Sequence, residues 1–240
     1  MEKKKILITG ASKGLGLAIS KKLSADYELI LHASRSESFT EVVPGSHILC
    51  ADFTDDEQVG DFCKQLKKQY GDSLYGVINN AGVTFDKPLN FQPEKEIDAM
   101  LKVNLRAPIM ISKVAMKIFG LLNRGVIINI SSVVGESGNA FQSVYAATKA
   151  GLVALSKSLA QEAGATNQSH NIRVLSVSPG FIETDMTAAI PEKMREKYLD
   201  LIPAKRYGSV DDVAETIAFL LSDKASYING TNIHINGGLT

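Results

Sequence analysis

Residues 5–16 read KILITGASKGLG, an apolar run that passes straight into Ala11, Ser12, Lys13, Gly14, Leu15 and Gly16 and then into LGLAISKKLSA, whose apolar residues recur at helical spacing. A strand, a glycine-rich turn and a helix in that order form the phosphate-binding corner of a doubly wound sheet, because glycine lets backbone N–H groups and the helix N-terminus approach a pyrophosphate. The spacing here, TGxxxGxG with Gly10, Gly14 and Gly16, differs from the GxGxxG fingerprint. By itself the turn reads either as a cradle for phosphate or as a tight connection that binds nothing.

Outward from this corner, YELILHA, HILCAD, LYGVINN, GVIINIS, IRVLSVS and NIHIN are further short apolar runs of the strand type. Between most of them lie helix-period segments, among them DEQVGDFCKQLKKQY and the stretch from Glu94 to Leu122. Strand and helix in alternation predict a parallel sheet covered on both faces. The expected fold is therefore α/β, a single doubly wound (Rossmann) domain over residues 1–240 with a seven-stranded parallel sheet. The polar connection from Arg35 to Ser46, with Pro44 and Gly45, is too short for the helix expected after the second strand. After the sixth strand, residues 180–206 carry Met186, Met194, Tyr198, Leu199 and Ile202 and read as a substrate lid.

Composition narrows the classes of partner. With 26 basic and 26 acidic residues the formal net charge is zero, so there is no electrostatic pull toward nucleic acid or a membrane surface. No stretch approaches the roughly 20 apolar residues that cross a bilayer. Cys50 and Cys63 show neither disulfide nor metal spacing, and no metal is expected. A soluble protein of a reducing compartment fits these features.

After the second strand, a protein that reads the free ribose hydroxyl of NAD presents Asp or Glu. This chain presents His32, Ala33, Ser34 and Arg35. With Lys13 in the glycine turn, Arg35 gives a second cation for a 2′-phosphate, and the pair predicts NADPH over NADH; the alternative is two solvated surface charges. Asp52, followed by Phe53, stands just past the third strand, where its carboxylate could accept from an adenine amino group. Asn79, Asn80, Ala81 and Gly82 end the fourth strand beside the same crevice, as ligand contacts or as a capped strand end.

The fifth strand ends at Ser131 and Ser132; thirteen residues beyond Ser132 comes Tyr145, and four beyond that Lys149. A spacing of four puts Tyr145 and Lys149 on one helix face. A phenol's ordinary pKa near 10 is too high for proton traffic at neutral pH, and a neighbouring ammonium is expected to lower it. Ser132 could hydrogen-bond a substrate oxygen and hold it beside the phenol. A Tyr and Lys four apart are commonplace alone; joined to the glycine turn and the upstream serine, they point to carbonyl reduction.

TGASKGLG, NNAG, the Ser132, Tyr145 and Lys149 set and PGFIETDM at residues 179–186 together resemble the classical short-chain dehydrogenases/reductases. SSVVGESGN, YAATKAGLVALSKSLAQE, PGFIETDMT and YINGTNIHINGGL are similar to the bacterial 3-oxoacyl-[acyl-carrier-protein] reductases of that family, and the resemblance covers essentially the whole chain. It implies NADPH-dependent reduction of a 3-oxoacyl thioester, carried on acyl carrier protein or coenzyme A, to the 3-hydroxyacyl product in cytoplasmic fatty-acid or polyketide-type synthesis. It implies that Asn104 holds a water that relays protons from Lys149, and that Lys149 also binds the nicotinamide ribose. Past Pro179 and Gly180, Ile182 would meet the nicotinamide carboxamide through its backbone, with Thr184 nearby, and the residues after Thr184 would close over substrate. A homotetramer is implied as well. Ala146, Ala147, Ala150, Gly151 and Ala154 on the catalytic helix would allow close pairing of helices across a two-fold axis, or would suit packing on the protein's own sheet.

The segment between Ala33 and His47 is shorter than the family's usual length, and the surface around Asn123, Arg124 and Thr166 offers fewer cations than relatives that use a carrier protein. Two other functions compete: a dehydrogenase of a small alcohol, sugar or steroid, and a dinucleotide-binding regulator without catalysis. The missing acid after the second strand counts against an NAD-driven oxidase, and the intact Ser132, Tyr145 and Lys149 set against the regulator.

Overall fold

The structure is a computed structural model that describes residues 3–39, 41–166, 171–184 and 192–239. Seven parallel strands form one sheet: β1 (Lys5–Ile8), β2 (Glu28–Ala33), β3 (His47–Cys50), β4 (Leu74–Asn79), β5 (Gly125–Ile130), β6 (Ile172–Pro179) and β7 (Asn232–Ile235), in the order β3-β2-β1-β4-β5-β6-β7. The strands coincide with the seven apolar runs. From β1 the chain winds outward to one edge, returns to β4 beside β1, and winds outward to the other. That reversal opens a crevice at the carboxyl ends of β1 and β4, the place where ligands bind in such sheets.

Strand residues alternate between the two faces, and each face has its own apolar core. One face packs Leu7, Ile30, Val77, Ile127 and Val174 against Phe62 and Leu66 of α2 (Asp56–Tyr70) and Ile111, Ala115 and Ile118 of α4 (Ala107–Leu122). The other packs Ile6, Ile8, Leu31, Ile78, Ile128 and Val177 against Ile19 and Leu23 of α1 (Gly14–Leu23) and Val213, Ile217 and Leu221 of α8 (Val210–Leu221). Near-continuous apolar strands are what two covered faces require.

Between β2 and β3 the only helical turn among the described residues is a 3₁₀ turn at Ser36–Ser38, as the short polar connection predicts. The stretch from Glu94 to Leu122 is one helical rod with an interruption: α3 (Glu94–Leu101) passes through a π turn, Lys102–Arg106, before α4. Two helices follow β5, the short α5 (Val134–Ser137) and the long α6 (Ser143–Thr166). Met194, Tyr198 and Leu199 fall in α7 (Glu192–Leu201), with Ile202 buried just past it; Met186 lies outside the described residues. Among the described residues no helix is long and apolar enough to cross a membrane.

Candidate active site

The glycine corner is built by close backbone approach. Thr9 Oγ1 accepts from the N–H groups of both Asn80 and Ala81 at 3.0 Å, and the Asn80 side-chain amide donates to the carbonyls of Thr9 and Gly10, also at 3.0 Å. The ends of β1 and β4 are thereby sewn together. Gly10 has φ +64°, and a Cβ there would stand 2.8 Å from Ala81 Cα. A Cβ on Gly16 would stand 2.1 Å from the Gly10 carbonyl oxygen. Gly14, at φ +53°, is exposed with nothing near it. Lys13, at the N-cap of α1, supplies no side-chain cap, so the first-turn N–H groups stay available to an anion from outside the helix.

One cleft of about 910 Å³ runs from this corner across the sheet, toward the large end of the range of about 300–1,000 Å³ that small-molecule sites occupy. Gly10, Ser12, Lys13, Gly14, Leu15 and Gly16 line its middle, and Arg35, Asp52 and Phe53 line one end. Asn80, Ala81 and Gly82 lead toward the other, where Ser132, Tyr145, Lys149, Pro179, Gly180, Ile182 and Thr184 meet. The residues expected to touch a dinucleotide therefore border the same space, except Asn79, which is buried with its amide donating to Asn129 Oδ1 at 2.8 Å and Ser112 Oγ at 3.3 Å. The exposed first turn of α1, the crowded backbone at Gly10 and Gly16 and two exposed cations, Lys13 and Arg35, fit an elongated molecule with phosphates in its middle.

At the far end, β5 and α6 fix the reacting groups. Ser131 Oγ donates to the Lys149 carbonyl at 2.8 Å, and Lys149 Nζ donates to the Ile130 carbonyl at 2.8 Å, which ties the helix to the strand end. Ser132 Oγ accepts from Val134 N–H at 3.2 Å, and its hydroxyl stands near enough to the Tyr145 phenol to draw that group's pKa down. A Cβ on Gly135 would stand 2.9 Å from backbone atoms of Lys149 and Ala150, so α5 reaches α6 only because residue 135 has none. Gly180 similarly lets the end of β6 approach Asn236, at 2.9 Å from a Cβ to its Cα.

The electrostatics depart from the sequence reading in one respect. The Tyr145 phenol is pushed up to about 12, chiefly by burial; the Ser132 hydroxyl lowers it and the Asp86 carboxylate adds to the rise. The expected lowering by an ammonium is missing because Lys149 Nζ turns to Ile130, 5.5 Å from the centre of the Tyr145 ring. Burial drives Lys149 down to about 8. Environments that drive a neighbouring acid and base apart are a mark of proton-transfer sites.

Asn104 is fully buried in the π turn and is the one expected catalytic residue that does not border the cleft. Its side chain is already engaged: Oδ1 accepts from Val83 N–H at 2.8 Å, while Nδ2 donates to the Val83 carbonyl at 2.8 Å and Thr148 Oγ1 at 3.3 Å. It thus pins the chain after Gly82 to the catalytic helix. Asp52 Oδ1 accepts from Thr54 N–H and Oγ1 at 2.9 and 2.8 Å, an Asx turn that shapes the cleft rim. On the lid side, Ile182 pairs with Gly208, and Phe181 stacks on Tyr198 of α7 at 4.4 Å. Residues 185–191 of the expected lid lie outside the described residues.

Of the site residues to which the sequence assigns no role, two shape the glycine corner. Thr9 is one, although its place immediately before the first glycine was a usable signal. His32 is the other, a polar ring in an otherwise apolar strand.

A family model described as enoyl-(acyl carrier protein) reductase matches residues 10–240. The 3-oxoacyl-[acyl-carrier-protein] reductase FabG of Haemophilus influenzae is 37% identical over 244 residues, covering 100% of this chain and 99% of the relative. Its namesake in Staphylococcus aureus strain Mu50 is 39% identical over 245 residues, 98% of each chain. That of Escherichia coli K12 is 37% identical over 243 residues, 99% of this chain and 98% of the relative. With this likeness running end to end, the chain belongs to the short-chain dehydrogenase/reductase family of nicotinamide dinucleotide-dependent oxidoreductases.

Proposed function

We propose that this protein reduces the ketone of a 3-oxoacyl thioester to the 3-hydroxyacyl product in fatty-acid or polyketide-type synthesis, using NADPH. The observation that carries the reading is the convergence of Ser132, Tyr145 and Lys149 at one end of a cleft whose middle carries Lys13 and whose other end carries Arg35. When bound there, the reduced nicotinamide supplies a hydride to the carbonyl carbon. Ser132 donates a hydrogen bond to the carbonyl oxygen and holds it against Tyr145, whose phenol gives up its proton as charge develops on that oxygen. A phenol held near 12 is protonated at neutral pH, the form that reduction needs. Lys149, held near 8, is the stronger acid, so a proton passes downhill from its ammonium to re-form the phenol. A water joining that relay would be held by the main chain of Asn104, whose side chain is taken up by Val83 and Thr148.

The assay that tests this follows NADPH oxidation with acetoacetyl-coenzyme A, an acetoacetyl-carrier protein, crotonyl thioesters and simple ketones. Turnover confined to crotonyl thioesters would replace carbonyl reduction with double-bond reduction, the activity in the family model's description; turnover of simple ketones alone would discard the thioester.

Cofactor choice rests on Lys13 and Arg35, both exposed on the cleft. Arg35 has a rival partner, since it contributes to holding the Glu37 carboxyl below its usual range, after Glu37's own backbone amide and the Ser36 hydroxyl. Lys13→Ala is therefore expected to cost NADPH more than Arg35→Asp does, each within about 5–30-fold in kcat/KM, with NADH nearly unaffected and the effect shrinking in salt. Measuring kcat/KM for both cofactors at two salt concentrations checks this; an unchanged NADPH:NADH ratio in both variants would remove the two cations from the site.

A cytoplasmic homotetramer is the assembly proposed. Leu101 and Ile109 on the α3–α4 rod and Ala147, Ala150 and Ala154 on α6 are exposed, an apolar surface suited to a partner subunit. A concentration-independent monomer mass in solution would exclude it.

A further inference from the structure

The adenosine end of the cleft contains a histidine that proton transfer does not use. His32, near the end of β2, is buried and borders the cleft. A polar ring at that depth needs a partner for each nitrogen, and both are present. Nδ1 accepts from the Gly10 N–H at 3.3 Å, which assigns the ring proton to Nε2, and Nε2 lies 3.0 Å from the Ala51 carbonyl, to which it donates. Burial holds the imidazole down at about 4, so this neutral arrangement persists through the physiological range. The ring plane is fixed by stacking on Phe53, at 3.9 Å between centres and 6° between planes, and by the edge of Phe62 at 5.2 Å.

The same residue's backbone carbonyl accepts from Ala11 N–H at 2.8 Å. Gly10 is thus held from β2 through its N–H and from β4 through its carbonyl, which accepts from Asn80. Since Gly10 sits at φ +64° and its carbonyl faces Gly16, the orientation of this one residue sets where the following N–H groups of the turn point. We propose that His32 is a positioning residue for the dinucleotide: through Gly10 it pre-orients the phosphate turn and thereby sets affinity for the pyrophosphate. This rests on the reading of the cleft as a nicotinamide dinucleotide site. Because the pyrophosphate is common to both cofactors, the effect of His32 must be shared by NADPH and NADH, unlike that of Lys13 and Arg35.

The test compares the full-length wild type with His32→Phe, which keeps the stack on Phe53 but has no ring nitrogen, and His32→Gln, whose amide can both accept and donate. Dissociation constants for NADPH and NADH, the KM for each cofactor, kcat and Tm are measured. His32→Phe is expected to weaken both cofactors by about 5–20-fold in parallel, with kcat within about twofold, and His32→Gln to recover most of that loss. Wild-type affinity in His32→Phe, whatever its Tm, would overturn the proposal and leave His32 a structural residue. So would a loss in His32→Gln as large as in His32→Phe, or a loss confined to NADPH. If His32→Phe does not fold, His32→Asn, too short to span both partners, is judged by the same criteria. Absence of binding of either cofactor to the wild type would instead overturn the reading of the cleft, and this proposal with it.

Discussion

Tyr145→Phe is expected to retain the fold and cofactor binding while turnover falls by about 10²–10⁴-fold, the usual worth of a positioned general acid. The variant removes one oxygen and leaves the ring in place, with the Lys149 ammonium still 5.5 Å from its centre. The neighbouring Ser132 Oγ remains held by Val134 N–H. Lys149→Met should lose turnover by a similar factor without a fall in Tm, because the native lysine is kept charged at neutral pH against the desolvation that pulls it to about 8. The sign follows from linkage: between about pH 8 and the ordinary lysine value near 10.5 the unfolded chain binds more protons than the folded one, so wild-type stability rises with pH across that window. Below it the buried ammonium destabilises the fold in full, and methionine removes that cost while leaving the Ile130 carbonyl without its donor. For the wild type, kcat/KM for reduction should be level up to about pH 7.5 and fall above about pH 8 as Lys149 loses its proton. Steady-state rates from pH 6 to 9.5, with thermal melts of all three proteins, check this. More than a tenth of wild-type turnover in Tyr145→Phe would mean that another group delivers the proton.

Gly16→Ala should be the most damaging single change in the phosphate corner. The added methyl would lie 2.1 Å from the Gly10 carbonyl oxygen and 2.7 Å from Asn80 Nδ2, and the first of these is backbone that no rotamer change can move aside. Relief requires α1 to move off the end of β1 or Gly10 to swing, and the swing breaks the hydrogen bond its carbonyl accepts from Asn80 and the one its N–H donates to His32. Loss of at least about 100-fold in kcat/KM for cofactor, or failure to fold, is expected, since overpacking against fixed backbone exceeds the usual 1–3 kcal/mol of a crowded side chain. Gly14→Ala is the contrasting case. Its methyl meets nothing within 4 Å, and only the φ of +53° is unfavourable, a strain of about 1–2 kcal/mol. A folded protein with cofactor binding weakened by less than about tenfold is the expected result. Were the two variants equally impaired, close packing would not be what residue 16 provides.

Much of this was legible beforehand, for identifiable reasons. The inner strands of a doubly covered parallel sheet are largely apolar, so the strand runs stood out against amphipathic helices. Tyr145 and Lys149 share a face by helical spacing alone. What sequence could not supply depended on partners far along the chain. The two glycines just contrasted look alike in TGASKGLG, yet one answers to backbone conformation and the other to a carbonyl six residues earlier. His32 acquires its meaning only once Gly10 and Ala51 lie on either side of it. The direction of the Tyr145 shift was misjudged because spacing gives proximity to Lys149 but says nothing of burial, nor of the Ile130 carbonyl that draws the ammonium away.

The π turn at Lys102–Arg106 has a consequence for the helix beyond it. Each residue of an α-helix advances the next by about 100° around the axis. The wide turn takes up one extra residue: were the same residues between Leu101 and Ala107 to close into a regular helix, everything downstream would rotate by about that angle relative to α3. Ile111, Ala115 and Ile118 would turn off the sheet, and the exposed Ile109 and Leu121 would change orientation with them. Leu105, which faces Gly151 on α6, would be displaced too. The wide turn therefore acts as a phase setter within the rod: it lets one helix present Asn104 to the chain after Gly82 at one level and an apolar stripe to the sheet at the next, two faces that a uniform helix of this sequence could not bring into register together.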